Sequence, residues 1–278
     1  KPLRKKTLRG SLMYSELSVL FRRRRTWAML FTVALIPICL AFAVLASGST
    51  IPPGEGPPFL DRVSQNGLFV GFTAMIMAIP LFLPLTMGVV AGDTIAGEAN
   101  TGTLRYLLIA PVNRAKLLVV KFFGTVAFAV AATATLMITG IIIGAILFPV
   151  GPVTLLSGDV VSIPAALVRI FLVAVYVTIS LAGLAAVGLF ISTLTVIPVG
   201  AMAATVVFST VTQILGALPQ IAVIHPYLIS YYWLGFADIL RNPMDLGSML
   251  SNTLLQLSYI AIFGSLAYSR FTTKDVLS

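Results

Sequence analysis

Residues Gly92–Lys121 read GDTIAGEANTGTLRYLLIAPVNRAKLLVVK and form a polar, net basic segment between two long apolar runs. The flanking runs, residues 67–91 and 122–148, contain no Asp, Glu, Lys, Arg or His. Each exceeds the about 20 apolar residues that a helix needs to cross a bilayer. Because basic loops between membrane helices face the cytoplasm, we predict that residues 92–121 connect two transmembrane helices on that side.

The composition indicates an integral membrane protein. Of the 278 residues, 58% are hydrophobic and 10% are charged, whereas soluble domains carry about 25% charged residues. The net charge is +9, but nine of the 18 basic residues precede Trp27, beside the first apolar run. Basic residues in that position set orientation and contact anionic lipid. We therefore expect membrane lipid, and not nucleic acid, as the partner of this charge.

Six uncharged apolar runs predict six transmembrane helices in an all-α integral membrane protein. Fifteen of the 18 Lys and Arg residues lie in segments that would be cytoplasmic if both termini are on that side. The positive-inside rule therefore predicts a multi-pass protein with both termini in the cytoplasm. The predicted spans of this single domain, residues 1–278, are 28–46, 67–91, 122–148, 170–191, 197–218 and 246–268.

Residues 1–27 combine a basic cytoplasmic tail with an amphipathic helix at Ser11–Thr26. Its apolar side chains recur at helical spacing on one face, and we place Glu16 and Arg23 elsewhere on the helical wheel. Such a helix can lie in the headgroup plane; the alternative is a plain positive-inside anchor without a partner contact. The residues assigned to this interfacial helix are Met13, Leu17, Leu20, Phe21, Arg22, Arg23, Arg24 and Arg25.

Local signals predict the shape of the spans and of their connection. Pro80 and Pro84 should bend the second span, because proline lacks an N–H group. Asn113 should cap the helix that leads into the third span, and Thr101 or Thr103 a short helix at Leu104–Ile109. GxxxG pairs allow close approach of helices, and they occur at Gly67/Gly71, Gly88/Gly92 and Gly140/Gly144.

The stretch Pro219–Asp245 is too polar to span a membrane and too aromatic for a free loop. We predict a re-entrant outer hairpin between helices 5 and 6 that is buried against protein or lines a cavity. Histidine 225, next to a proline, is interpreted as an interfacial or capping residue and not as a ligand. The side chains placed at headgroup depth are Tyr227, Tyr231, Tyr232, Trp233 and Phe236.

The sequence lacks the residues that several classes of transporter and enzyme require. The predicted spans lack ionisable groups, which ion-coupled carriers use at mid-membrane. No phosphate-binding loop of the G-x-x-x-x-G-K-[ST] type occurs, so this chain does not bind ATP by that route. A single Cys and a single His provide neither a metal cluster nor a nucleophile–base pair. We therefore expect no catalytic, metal or cofactor site in this chain.

Three stretches resemble the permease subunits of type-2 ATP-binding-cassette (ABC) exporters. Ile95–Lys121 is similar to the pattern AGE…GTL..LL..PV.R……K; Gly188–Ser192 reads GLFIS; Tyr268–Val276, YSRFTTKDV, is similar to the family's ending "rF.rkDi". Together with the six spans, the likeness covers nearly the whole chain. The matching residues of the first stretch are Glu98, Gly102, Thr103, Leu104, Leu107, Leu108, Pro111, Val112, Arg114 and Lys121.

The resemblance implies two permease copies, or two related chains, with two separate ATPase subunits below them. ATP and Mg would bind to the ATPase, so hydrolysis would not occur on this chain. The family's coupling helix, between helices 2 and 3, would correspond to about residues 102–110 within the cytoplasmic segment 92–121. The residues expected to couple to the ATPase are Glu98, Thr103, Leu104, Arg105, Leu107, Leu108, Pro111 and Arg114.

The resemblance also places the substrate path between the two copies, lined by the second and fifth spans. Because these spans are mostly aliphatic, we expect export of a hydrophobic or amphiphilic, drug- or lipid-like substrate across a prokaryotic inner or plasma membrane. The alternatives are a polysaccharide or lipid-linked glycan permease, an ion-coupled secondary transporter and a membrane scaffold without transport activity. The candidate path residues are Phe69, Phe72, Met75, Phe82, Phe208 and Gln213.

Overall fold

The computed structural model describes residues 8–47, 60–103 and 113–273, which are predominantly helical. Two 3-10 segments, Pro219–Tyr227 and Gly235–Leu240, and two short strands, β1 at Val153–Thr154 and β2 at Val160–Val161, complete the regular structure of this part. The helices are α1 Leu8–Arg22, α2 Arg24–Ser47, α3 Leu60–Gln65, α4 Phe69–Ala78, α5 Phe82–Asn100, α6 Arg114–Leu147, α7 Ile163–Leu194, α8 Pro198–Gly216 and α9 Gly247–Thr273.

The helices confirm the all-α membrane fold. Among the described residues, α2, α6, α7, α8 and α9 are each long and apolar enough to cross a membrane, and α4 with α5 makes a sixth, bent candidate. Several helices extend past the spans predicted from sequence. Helix α6, for example, has 34 residues because it already begins at Arg114, inside the predicted polar segment.

The second span is broken where its prolines predict a bend. Helix α4 ends at Ala78, α5 begins at Phe82, and the two axes differ by 59°. Pro80 lies in the break, where its missing N–H costs no helical hydrogen bond, and Pro84 lies in the first turn of α5. In contrast, α2 continues through Pro37 as one helix.

The GxxxG pairs lie at close helix contacts, as predicted. A Cβ atom on Gly140 of α6 would lie 2.6 Å from Gly71 Cα, and one on Gly144 would lie 2.0 Å from the Gly67 carbonyl oxygen. Two glycine pairs thus face each other between α6 and the start of the second span. A Cβ on Gly92 of α5 would lie 2.5 Å from the backbone nitrogen of Met202 in α8.

Helix α7 is the centre of the bundle. It packs against α5, α6, α8 and α9. In its most apolar 18-residue stretch, 67% of the residues are buried, compared with 11% in the corresponding stretch of α9. Arg169 lies in this helix with 7% of its surface exposed, although the predicted fourth span begins only at residue 170. The helix begins at Ile163 and therefore includes the end of the connection before that predicted span.

The predicted helix Ser11–Thr26 is wrong in its extent, because the chain turns at Arg23 and starts a new helix at Arg24. The corner is fixed by the first turn of α2, which supplies donors to the last carbonyls of α1. Thr26 Oγ1 donates to the Leu20 carbonyl at 2.6 Å, and Trp27 Nε1 donates to the Phe21 carbonyl at 2.7 Å. These bonds satisfy groups that a helix end leaves unpaired.

The connections at the opposite end of the bundle are more ordered than the sequence indicates. The connection 149–169, between the predicted third and fourth spans, contains an antiparallel pair of strands, in which Val153 pairs with Val161. Two residues per strand are too few for a periodic sequence signal.

The irregular stretch 219–245 is packed against α7 and α9 through its backbone carbonyls. Tyr176 Oη donates to the Tyr232 carbonyl at 2.5 Å, and Gln256 Nε2 donates to the Ile229 carbonyl at 2.9 Å. Trp233 is 2% exposed and Phe236 is fully buried, so both pack inside the protein, and their position at headgroup depth stays a prediction. Their side chains belong to the main hydrophobic core, together with Tyr176 of α7.

We predict that Gly140→Ala destabilises the fold. The added methyl group would overlap Gly71 Cα, and overpacking of this kind costs about 1–3 kcal/mol. Thermal unfolding of the purified chain in detergent measures the effect. Gly200→Ala is the matched control, since its nearest neighbours would be 4.0 Å from the new Cβ. Equal midpoints for the two variants would contradict the contact between α4 and α6.

Candidate functional site

The three stretches that carry the family resemblance meet at one end of the bundle, here called the basic end. This end comprises α1, the start of α2, the end of α5, the start of α6 and the ends of α7 and α9. A separate apolar cluster holds the stretches together there. Its buried members are Ile95, Leu117, Leu118, Leu189, Ala267 and Phe271.

Lys121 is buried between two carboxylates at the basic end. Its Nζ lies 2.9 Å from Glu16 Oε2 of α1 and also contacts Glu98 Oε1 of α5. The lysine side chain is 3% exposed, Glu98 is 16% exposed and Glu16 is 23% exposed. A buried cation is tolerated only when opposite charges and hydrogen bonds compensate for its lost hydration. This triad therefore fixes α1, α5 and α6 relative to one another.

A second ion cluster joins the α1–α2 corner to the same end of α5. Asp93 accepts bonds from Arg23 Nη1, at 2.7 Å, and from Arg25 Nη2. Gly97, one turn further along, leaves space for the carboxylate, because a Cβ there would lie 2.5 Å from Asp93 Oδ1. We call the six residues of the two clusters the charged junction: Glu16, Arg23, Arg25, Asp93, Glu98 and Lys121. Their formal charges sum to zero.

Ser192 of α7 connects to the backbone of α5. Its hydroxyl donates to the Gly92 carbonyl at 2.7 Å and accepts from Ala96 N at 2.8 Å and Ile95 N at 3.0 Å. In a regular helix the Gly92 carbonyl and the Ala96 N–H bond each other. The Ser192 side chain is fully buried, so a single hydroxyl fixes the middle of α5 to the end of α7.

Arg114 and Asn113 organise the start of α6. Asn113 Oδ1 accepts from Ala115 N at 2.9 Å, which confirms the predicted cap. Arg114 Nη1 donates to the Thr272 carbonyl at 3.0 Å and to the Phe271 carbonyl at 3.4 Å. A guanidinium at the last carbonyls of a helix complements their partial negative charge. Arg114 thus connects α6 to the end of α9.

Helix α5 ends in a threonine-rich turn before residue 104. Thr101 Oγ1 donates to the Gly97 carbonyl at 3.0 Å, and Thr103 Oγ1 donates to the Glu98 carbonyl at 3.2 Å. Gly102 has φ +72°, a left-handed conformation that suits glycine after a helix end. The two hydroxyls therefore terminate α5. A cleft of about 610 Å³ opens beside this turn, between α1, α5 and Pro198.

The predicted coupling residues divide into two groups. Thr103 and Arg114 lie at the two ends of the segment, at the basic end of the bundle. Glu98 faces inward to Lys121, which differs from the expectation that its carboxylate offers a free contact to a partner. Leu104, Arg105, Leu107, Leu108 and Pro111 lie outside the described residues, as does the predicted short helix Leu104–Ile109.

The residues predicted for the interfacial helix keep their common face. Met13, Leu17, Leu20 and Phe21 are half-buried, and α1 packs against α6. The assignment of Glu16 to another part of the wheel is wrong. It lies one turn before Leu20 and reaches Lys121 on the same inward side. The location of α1 in a headgroup plane stays a prediction.

The candidate path residues do not form one surface. Phe69, Phe72 and Met75 are buried inside the protomer, so the prediction that they line a surface between two copies is wrong for this conformation. They belong to the main core, which α4 completes by packing on α2 and α6. Phe82 is 39% exposed, and Phe208 and Gln213 are half-buried.

Sequence reasoning missed Glu16, Asp93 and Ser192 as members of this site. The available signal was charge: acidic residues are rare in this chain, and Asp93 lies two residues after the apolar run 67–91. Ser192 is the last residue of the GLFIS stretch, but nothing in the sequence indicates that its hydroxyl forms hydrogen bonds with the backbone of α5. Among the described residues, no group of three His, Cys, Asp or Glu side chains is placed to hold a metal ion.

Comparison with known proteins gives one family. The model of the family described as ABC-2 family transporter protein matches residues 12–212, which is most of the chain. A search of curated proteins gives no match. The matched range contains all six members of the charged junction and also Ser192.

We predict that Lys121→Met strongly destabilises the fold. Two carboxylates would remain close together and poorly hydrated, and breaking a buried pair in this way costs about 3–5 kcal/mol. Thermal unfolding in detergent measures the loss. Arg22→Met is the control, because Arg22 is exposed. We also expect the triple variant Lys121→Met, Glu16→Gln, Glu98→Gln to regain most of the stability. A Lys121→Met protein as stable as the control would contradict the triad.

We predict a smaller loss for Ser192→Ala, because two N–H groups and a carbonyl of α5 lose their shared partner. The helical bonds of α5 remain, and loss of a typical intramolecular hydrogen bond costs about 0.5–1.5 kcal/mol. Ser258→Ala is the control, since its exposed hydroxyl bonds only the Leu254 carbonyl of its own helix. Hydrogen exchange at Ile95 and Ala96 should increase in Ser192→Ala. Unchanged exchange and stability would show that α5 does not depend on this hydroxyl.

Proposed function

Because the chain belongs to the ABC-2 family of transporter proteins, we propose that it is the membrane-spanning permease subunit of an ATP-driven exporter. Membership in this family implies association with ATPase subunits in general. We propose two separate ATPase subunits, which bind ATP and Mg, and a second permease copy or close paralogue. Both termini and residues 92–121 would face the cytoplasm, as the distribution of basic residues favours.

The observation that supports this function most is the fixation of the α5 and α6 ends on either side of residues 104–112. Lys121 joins these two helices to α1, and Ser192 joins α5 to α7. A force applied to the connecting segment by a partner would therefore move α5 together with its neighbours. The segment itself, with Arg105 and the leucines around it, would provide the contact with the ATPase.

The break at residues 79–81 would let this motion reach the membrane. The basic end of α5 is joined to α1 and α6 through Lys121 and to α7 through Ser192. On the other side of the break, α4 packs against α6 through the glycine contacts. The 59° bend between α4 and α5 lies where Pro80 interrupts backbone hydrogen bonding. We propose that α5 moves as a lever with its pivot at this break.

The substrate path would lie between two copies, beside the exposed faces of α5 and α8. Phe82, Phe208 and Gln213 remain candidates for its lining. Large apolar side chains cover these faces, which fits a hydrophobic or amphiphilic substrate such as a drug- or lipid-like molecule. The exposed apolar residues concerned are Leu81, Leu85, Val199, Val207, Val211, Ile214 and Leu218.

We predict that Glu98→Gln lowers ATP-driven transport roughly 5- to 10-fold, a typical size for energetic coupling between sites. The chain should still fold, because Lys121 keeps its pair with Glu16. The measurement is efflux of a hydrophobic dye from proteoliposomes that contain the chain and its ATPase, together with the rate of ATP hydrolysis. Hydrolysis should continue while transport per ATP falls.

Asp159→Asn is the control, since it removes one carboxylate at the opposite end and the amide oxygen can still accept from Ser157. Glu98→Arg would be a poorer test, because it places a cation beside the buried Lys121. Equal transport by Glu98→Gln and the control would contradict the coupling role of Glu98. A chain that purifies without any ATPase and moves dye without ATP would contradict the proposed function itself.

A further inference from the structure

An apolar groove runs along the outside of the bundle near the basic end, between α6 and α9. Its free volume is about 560 Å³, within the range of about 300–1,000 Å³ that is usual for small-molecule sites. Both helices pack on α7 but make few contacts with each other, so the α7 residues Ala186 and Leu189 form the floor. The walls are Leu118, Val119, Phe122 and Phe123 of α6 and Ile260, Ala261, Gly264, Ser265 and Tyr268 of α9.

The groove is open on its outer side, within two helices that are long and apolar enough to cross the membrane. Val119 and Phe123 are each 51% exposed on one wall. A Cβ on Gly264, on the other wall, would have no atom within 4 Å. The wall residues from Ala115 to Phe123 span about 12 Å along α6, which suits part of a lipid acyl chain.

Two cations lie at the end of the groove nearest the basic end. Arg114 bridges from α6 to the last carbonyls of α9 and so lies across this end. Lys116 is one turn before Val119 and borders the same wall. Neither residue forms an ion pair with a described acidic side chain. The third polar group, the Tyr268 side chain, suits the level where hydrocarbon meets headgroups.

We propose that this groove binds an anionic glycerophospholipid from the leaflet at the basic end. One acyl chain would lie between α6 and α9 on the α7 floor, and the phosphate would lie next to Lys116 and Arg114. The charge complementarity selects an anionic headgroup, because juxtamembrane basic residues attract such lipids. The bound lipid would fill the gap between α6 and α9. Among the described residues, Arg114 bridges this gap at the basic end. The proposal rests on the membrane location of the chain and not on the proposed transport.

The test is native mass spectrometry of the purified chain in detergent with added phosphatidylglycerol or phosphatidylcholine of identical acyl chains. The wild-type chain should retain phosphatidylglycerol about fivefold better, the preference expected from one basic side chain near a headgroup. Lys116→Gln should remove most of this preference. Arg241→Gln removes a 63% exposed cation at the opposite end of the bundle; it is the matched control and should keep the preference.

A second pair of variants tests the groove itself. Gly264→Leu should fill it and remove retention of phosphatidylglycerol, and the open space at Gly264 allows the variant to fold. Leu266→Phe enlarges a 44% exposed side chain on the other side of α9 and should retain the lipid. Equal retention of the two lipids by the wild-type chain, or undiminished retention of phosphatidylglycerol by Gly264→Leu, would overturn the proposal. Both outcomes are independent of ATP-driven transport.

Discussion

The burial of Lys121 is the constraint on which the basic end depends. An ammonium group with 3% exposure cannot remain without counter-charges, and its two carboxylate partners come from α1 and α5. Helix α1 must therefore pack against α6, and the end of α5 must lie beside the start of α6. The Arg23 and Arg25 contacts with Asp93 then fix the corner between α1 and α2 at the same place. Removal of one member would disturb several elements together.

The two ends of the bundle satisfy polar groups in different ways. At the basic end, charged side chains neutralise one another and Ser192 bonds the backbone of α5. At the opposite end, side chains of α7 and α9, among them Tyr176 and Gln256, donate to the carbonyls of an irregular segment. Backbone groups within a membrane need such partners, because lipid provides none. The broken second span lies between these two ordered ends.

Much of the fold could be predicted because it follows from local chemistry. Span length, the break at Pro80 and the Asn113 cap each depend on a few neighbouring residues. The glycine pairs indicated close contacts, but not that Gly140 would meet Gly71. The charged junction could not be predicted, since Glu16 and Lys121 are 105 residues apart. Burial of Trp233 also depends on tertiary packing, whereas its aromatic character alone indicated the membrane interface.

The most direct test measures distances between spin labels in the chain assembled with its ATPase, after Cys39→Ala. One pair of labels would replace the exposed Tyr14 of α1 and Asn100 at the end of α5; the other would replace Asn100 and Met77 of α4. If α5 moves with α1 about the break at residues 79–81, ATP binding leaves the first distance unchanged and alters the second. A change in the first distance with a constant second distance would contradict the account.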